Sequence, residues 1–431
     1  MIYSINSMTY SVYLHVPFCK QRCSYCDFNT YAGMESLIPE YVDALCSEIQ
    51  YLSDSCNERL PVHTIYFGGG TPSLLSVDQV EHILNILGSC FDLQPDFEAS
   101  LEANPGTLSY NQLLNLHKLG INRLSLGMQS ADPMELTLLQ RIHDPSQVIQ
   151  SVNWARGAGF TNLNLDLIFG LPEQSMETWR RSLNLALDLE PEHFSLYALT
   201  LEKGTALEHW VKRGLISDPE ADLAADMYEW AIEILSKYCY VQYEISNWAR
   251  IRKETPEKPS SSKNTFACRH NLQYWRNLPY LGFGAGAHGY ARKVRTANVA
   301  SPIEYINRFS VIKRQFPTSS RQTATIQHRF QDVSEQNTTF PETPATQDSL
   351  PIDLATEIGE TMMMGLRLTE EGVSQEVFYQ RFGQTILEIY GTQIERLTSI
   401  GLLEWAGKDQ DVLRLTSKGR FLGNRVFVEF L

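Results

Sequence analysis

From residue 11 to about residue 246, short β-rich runs alternate with longer stretches whose apolar residues recur at helical spacing. The runs SVYLHV, HTIYFG, FEASLE, NRLSLGM, TNLNLDLIF, HFSLYALT and VQYEIS predict strands, spaced so that a helix fits between each pair. Two of the helices carry further signals. Tyr41, Val42, Leu45, Ile49 and Leu52 form one apolar stripe, and Ser76-Val77-Asp78-Gln79 reads as a capping box ahead of Val80, Ile83, Leu84 and Leu87. Gly120 stands where a C-terminal cap belongs after Leu119.

Repeated β-α units imply a parallel sheet, closed or partly closed as a barrel, because the crossover helices must cover its faces. The working face of such a barrel lies at the C-terminal ends of its strands. That rule makes candidates of Gly68 to Thr71, Glu102, Gln129, Asp166 and the segment after Tyr197, for which turn chemistry and strand-end hydrogen bonding are the plainer explanations.

The pattern lapses twice. Residues 252 to 265 (RKETPEKPSSSKNT) and about 315 to 352 are too polar to offset the entropy of ordering and read as surface loops or disorder. They divide the chain into a barrel (1–250), a connecting segment (251–314), a flexible insertion (315–352) and a C-terminal domain (353–431). In the last, Leu354 to Leu366 and Val373 to Phe382 predict helices, and LLEWAGKDQDVLRLTSKGRFLGNRVFVEF predicts a β-hairpin followed by a helix. A small winged-helix-like α+β module fits this order. Such modules often bind DNA, but a formal charge of −14 and the lack of any basic run favour a structural or protein-contact role and no nucleic-acid partner.

The 431 residues, 43% of them hydrophobic, contain no apolar run of membrane-spanning length, and the first residues do not resemble a secretory signal. A cytoplasmic protein is expected, with membrane contact only through a partner. In a reducing compartment its eight cysteines are not a disulfide framework, and Cys46, Cys56, Cys90, Cys239 and Cys268 show no paired spacing.

Cys19, Cys23 and Cys26 differ. Their Cys-x3-Cys-x2-Cys spacing gathers three thiols in one loop directly after the first strand. A structural zinc site generally takes four ligands in paired Cys-x2-Cys form, and the only near candidate for a fourth, His15, lies on the preceding strand. A cubane cluster normally takes four thiolates, so three leave one iron open to a small molecule.

With Tyr25 between the last two cysteines and the run Gly68-Gly69-Gly70-Thr71-Pro72 after the second strand, the loop resembles that of the radical S-adenosylmethionine (SAM) superfamily. LEANPGTL, INRLSLGMQS, NLDLIFGLPEQ and GFGAGAHGY, in this order, resemble the HemN/HemW group of oxygen-independent coproporphyrinogen III oxidases and haem chaperones. The resemblance implies a TIM-like partial (β/α)6 barrel with a small C-terminal domain. It implies a [4Fe-4S] cluster on Cys19, Cys23 and Cys26, and SAM chelating the fourth iron. Tyr13, Tyr25, Gly69, Gly70, Thr71, Glu102, Gln129, Arg141 and Asp166 match the positions around SAM. Glu102 and Asp166 would accept from an ammonium or ribose hydroxyls, Arg141 would bind the carboxylate, Gln129 can do both, and the bare N–H groups of the glycine run suit a carboxylate.

Two departures from the oxidases point to the haem-chaperone branch: Phe28 stands where they carry a fourth cysteine, and only 18 residues precede Cys19, where they have a longer lead. His270-Asn271-Leu272-Gln273-Tyr274-Trp275 matches the HNxxYW motif of that branch, which the resemblance associates with haem. It makes His270 the candidate haem ligand, with His288 a competitor, Cys268 a weaker third, and Tyr274 and Trp275 able to flank a macrocycle. The plainer alternative is that the motif anchors a loop to the barrel. The expected function is haem delivery to an acceptor protein, with a flavodoxin or ferredoxin as electron donor; a coproporphyrinogen III oxidase and a zinc-binding structural protein are the alternatives.

Overall fold

The computed structural model describes residues 9–251, 266–315 and 340–431. Six strands, β1 (Tyr10–Val16), β2 (Pro61–Gly69), β3 (Asp92–Ala103), β4 (Arg123–Gln129), β5 (Leu163–Phe169) and β6 (His193–Ala198), lie side by side in chain order, each parallel to the next. The major helices that follow them are α1 (Ile38–Asp54), α2 (Val77–Cys90), α3 (Tyr110–Lys118), α4 (Pro145–Gly157), α5 (Met176–Asp188) and α6 (Ala221–Lys237). This is the six-unit partial barrel expected. Its helices begin and end where the sequence signals them. Ser76 Oγ accepts from the Gln79 N–H and Gln79 Oε1 from the Ser76 N–H, while Gly120 takes a φ of +101° just beyond α3. All five residues of the α1 stripe are buried; truncating one, as in Leu45→Ala, costs about 2–5 kcal/mol.

Along β1 and β4 the two faces alternate. Val12, Leu14 and Val16 on β1, like Leu124, Leu126 and Met128 on β4, join the apolar core. The residues between them, Gly127 apart, are polar and face the barrel lumen, which is unusual for a parallel sheet, whose faces are commonly both apolar.

The seventh run, VQYEIS, does not extend the parallel series. It forms β7 (Tyr240–Glu244), an edge strand antiparallel to β8 (Asn247–Arg250), which itself pairs antiparallel with β6. Only Ile245 and Ser246 separate β7 from β8, and a parallel crossover needs a dozen residues or more. At the other edge, residues 280–298 add β9 (Tyr280–Phe283), parallel to β1, and the antiparallel strands β10 (His288–Ala291) and β11 (Val294–Asn298).

Residues 252–265 and 316–339 lie outside the described residues. Within the described part of the polar stretch, expected to be a loop, Thr346–Pro351 forms β12, bonded to β11. Its mostly exposed side chains show why a polar sequence serves: an edge strand is held by its main chain. Between them α8, after α7 (Arg269–Trp275), covers Pro302–Gln315. A single carboxylate ties this region down. Glu48, wholly buried on α1, accepts from Gly284 N, Asn298 Nδ2, Tyr305 Oη on α8 and Thr343 Oγ1, each at 2.6–2.8 Å.

The C-terminal region has its own core. It contains α9 (Leu354–Gly365), α10 (Gln375–Phe382), α11 (Ile386–Ser399) and a three-stranded sheet of β13 (Val373–Ser374), β14 (Leu403–Ala406) and β15 (Val412–Leu415). α10 starts two residues later than the sequence suggests, because Ser374 is its cap and Val373–Ser374 pairs with β15. The region docks on the barrel's edge: Thr369 bonds the main chain of Gln242 and Tyr243, and Arg367 pairs with the buried Glu244.

Candidate functional site

The cysteine loop leaves the C-terminal end of β1 and is pinned across the barrel mouth, where Ser24 donates to the carbonyls of Leu138 and Leu139. Each thiol has a polar neighbour. Thr71 Oγ1 lies 3.6 Å from Cys19 Sγ, Arg141 Nη1 3.4 Å from Cys23 Sγ, and Thr30 Oγ1 3.8 Å from Cys26 Sγ. Burial pushes the Cys19 and Cys26 thiols above their ordinary range, so neither ionises readily without a metal to replace its proton.

Asn104, just past β3, braces two of these contacts. Its Nδ2 donates to Thr71 Oγ1 at 3.1 Å, and its Oδ1 accepts from Arg141 Nη2, which also donates to the Gly127 carbonyl at 2.8 Å. A Cβ at Gly127 would lie 2.9 Å from Arg141 Nη2 and 2.8 Å from Gln129 Nε2, so only glycine leaves both side chains in place. Gln129 itself has a φ of +63° where β4 shifts register against β5, and its side chain is buried at the rim. Tyr25 packs with Leu139, Ile168 and Leu171 beneath the loop.

The glycine run differs in one respect from expectation. Its N–H groups are not bare: Gly69 donates to Glu102 Oε2, Gly70 to the Val16 carbonyl and Thr71 to the Phe18 carbonyl. The run is a packed turn, with Gly69 at φ +112° and its missing side chain replaced by the His15 ring. Tyr13 Oη in turn bonds His15 Nδ1.

Glu102 and Asp166 both lie recessed yet accessible, near enough for the Asp166 charge to act on Glu102. Glu102 Oε1 accepts from Tyr66 Oη at 2.8 Å, and burial with the nearby Asp166 charge pushes its carboxyl up to about 7. Asp166 accepts from Asn164 Nδ2 at 2.7 Å and Ser125 Oγ at 3.2 Å and is also raised by burial. Two recessed carboxylates sharing a lumen favour a cationic occupant. SAM carries a sulfonium and an ammonium, so this donor set and the three thiols fit the pair of groups that the sequence implies.

His270 is placed differently. Helix α7 plugs the barrel near the N-terminal ends of the strands, away from the cysteine loop. The His270 ring is 2% exposed, with Nδ1 bonded to Thr64 Oγ1 and Nε2 to Tyr274 Oη, both at 2.8 Å, and burial pulls its pKa down to about 3. In this conformation it is not an open ligand for iron, because both nitrogens are engaged and the base of the barrel covers it. Cys268 is equally shut in, its thiol directed at Glu98. The motif anchors: Asn271 donates to Tyr243 Oη, and the Trp275 ring carries the Arg367 guanidinium of the C-terminal region 4.2 Å from its centroid. His288, at the start of β10, is exposed.

Sequence reasoning found the rim residues and missed the ones that hold them. Tyr66, Asn104, Ser125 and Asn164 all touch a candidate residue, and Asn164 lies two residues before its partner Asp166 on the same strand face.

Comparisons with known proteins identify the family and the fold. Residues 13–186 match the model of the radical SAM superfamily, and residues 352–422 that of the HemN C-terminal domain. The chain is 34% identical to the haem chaperone HemW of Bacillus subtilis over 98% of its own length and 99% of that protein's. It is 37% identical to HemW of Escherichia coli over 65% of this chain and 69% of the other. The structure of coproporphyrinogen III oxidase (HemN) from Escherichia coli superposes with a TM-score of 0.75 at 21% identity, covering 98% of this chain and 90% of that one, which establishes the shared fold. The chain belongs to the radical SAM superfamily and, within it, to the HemW family.

Proposed function

We propose that this protein is a haem chaperone that holds a [4Fe-4S] cluster on Cys19, Cys23 and Cys26, binds SAM at the barrel rim, and passes haem to an acceptor protein in the cytoplasm. The observation that carries the reading is the end-to-end relation to the Bacillus subtilis chaperone. Phe28 supports it. At the position where an oxidase would offer a fourth thiol, an apolar ring stands 64% exposed beside the cluster loop. When bound together, the reduced cluster and SAM supply one-electron cleavage of the sulfonium, with a flavodoxin or ferredoxin as the source of the electron. The chain's own residues orient. Glu102 and Asp166 hold positive or hydroxyl groups, Gln129 and Tyr13 close the rim, Tyr25 and the Gly69-Gly70-Thr71 turn shape its floor, and Arg141 braces the cysteine loop within reach of a carboxylate.

Of the imidazoles weighed as haem ligands, His288 is the one open to solvent, and we assign it that role ahead of His270. Anaerobic haem titration of the cluster-loaded protein tests this. A Soret band that shifts in His288→Ala and persists in His270→Ala is expected; loss of the band in His270→Ala alone would overturn the assignment. Appearance of protoporphyrinogen from coproporphyrinogen with SAM and reductant would replace the chaperone reading by the oxidase.

A further inference from the structure

Asp166 is the end of a hydrogen-bonded chain that begins on the HNxxYW helix. Asn271 Nδ2 donates to Tyr243 Oη at 3.1 Å, and Tyr243 Oη meets His193 Nε2 at 2.9 Å. His193 Nδ1 lies 2.6 Å from Asn164 Oδ1, which also accepts from Ser195 Oγ at 3.2 Å. Asn164 Nδ2 then donates to Asp166 Oδ1 and to Ser125 Oγ, each at 2.7 Å.

Burial keeps the His193 ring neutral, and for a neutral ring only one set of proton positions satisfies every member. An amide oxygen cannot donate, so Nδ1 of His193 carries the proton; Nε2 must accept from the Tyr243 hydroxyl, whose oxygen is left to take the Asn271 amide. All the donors therefore point the same way, toward the carboxylate. Bonds aligned like this polarise one another, and each fixes the rotamer of the next. His193, Asn164 and Tyr243 are all buried, so no water competes for these positions. A second contact runs parallel to the first. The His270 ring stacks on Tyr66 with centroids 4.9 Å apart, and Tyr66 holds Glu102.

We infer that the HNxxYW helix is a positioning element for the SAM site: through Tyr243, His193 and Asn164 it fixes the rotamer of Asp166 across the length of the barrel. Asn164, His193 and Tyr243 touch no ligand and act only through that carboxylate. The inference rests on the reading that Asp166 holds SAM, and the test separates the two.

The experiment is SAM binding to anaerobic, cluster-loaded protein, read by equilibrium dialysis and by the change SAM produces in the electron paramagnetic resonance spectrum of the reduced cluster. The variants are Asp166→Asn, Tyr243→Phe, Asn271→Ala and the doubles Asp166→Asn/Tyr243→Phe and Asp166→Asn/Asn271→Ala, each compared at full iron content. Asp166→Asn should weaken SAM by tenfold or more, and Tyr243→Phe and Asn271→Ala each by three- to tenfold. In the Asp166→Asn background neither second substitution should weaken binding further, whereas a general loss of packing would make the effects multiply. Wild-type affinity in Tyr243→Phe and Asn271→Ala beside a weakened Asp166→Asn would overturn the positioning role. Wild-type affinity in Asp166→Asn would instead remove Asp166 from the SAM site, and the inference with it. Should Tyr243→Phe not retain its cluster, Asn271→Ala and its double, at the half-buried start of the chain, decide alone.

Discussion

Glu102 is held at the point where its charge depends on ordinary changes of pH. In the ligand-free lumen its carboxyl is pushed up from 4.5 to about 7, first by burial and then by the Asp166 charge, against the lowering effect of the Tyr66 and Gly69 donors. The sign follows from which form binds a cation. Ionised Glu102 attracts one and protonated Glu102 does not, so SAM affinity should fall as pH drops through 7. For a pKa near 7 the apparent Kd is multiplied by about 1.1 at pH 8, about 2 at pH 7 and about 11 at pH 6, an overall loss of roughly tenfold. Protonation of Asp166, also raised, would steepen the fall. SAM titrates too, so the assay is the ratio of its Kd for wild type and Glu102→Gln, measured anaerobically from pH 6 to 8. The wild type should lose its advantage toward pH 6. A ratio constant across the range would refute the placing of SAM's positive charge against Glu102. Without SAM the same shift acts on stability: folding takes up a proton on Glu102 between pH 4.5 and about 7, so its contribution to stability falls as pH rises through that window.

Further outcomes follow from other contacts. Cys23→Ala should abolish retention of iron and of the brown cluster absorbance while leaving haem binding, because His288 lies on a different segment. Glu48→Gln keeps the volume but turns an amide toward two of the four donors; with about 1–3 kcal/mol for each buried group left unpaired, thermal unfolding should fall by several degrees. Ser76→Ala removes the α2 cap and should cost about 1 kcal/mol in denaturant unfolding, with SAM affinity unchanged.

What the sequence disclosed was mostly local. The α2 capping box, the α1 stripe and the six parallel strands each rest on residues within a short window, and each forms where the pattern puts it. Strands β9 to β12 were invisible for the opposite reason. They are four to six residues long, two of them overlap the ends of the glycine-rich stretch GFGAGAHGY, and β9 pairs with β1 some 270 residues away. Gly282 shows the constraint at work, since a Cβ there would meet the His288 carbonyl oxygen at 1.9 Å. In the site, strand ends pointed to Glu102, Gln129 and Asp166, but the residues that orient them lie deeper. The alternation in LNLDLIF already sets Asn164 beside Asp166, and that in HFSLYA sets His193 beside Ser195. His270 shows the limit of a motif: residue identity gave an imidazole, and only the packing showed both its nitrogens in use.

Glu48 has one more consequence. Tyr305 precedes residues 316–339 and Thr343 follows them, and both bond the same carboxylate, so the described residues on either side of that interval are tied to one point on α1. Holding two points of a chain together costs entropy that grows only slowly with the number of residues between them, about 0.6 kcal/mol per doubling. Glu48 is therefore a clasp, which holds the two flanks together with little dependence on how many residues separate them.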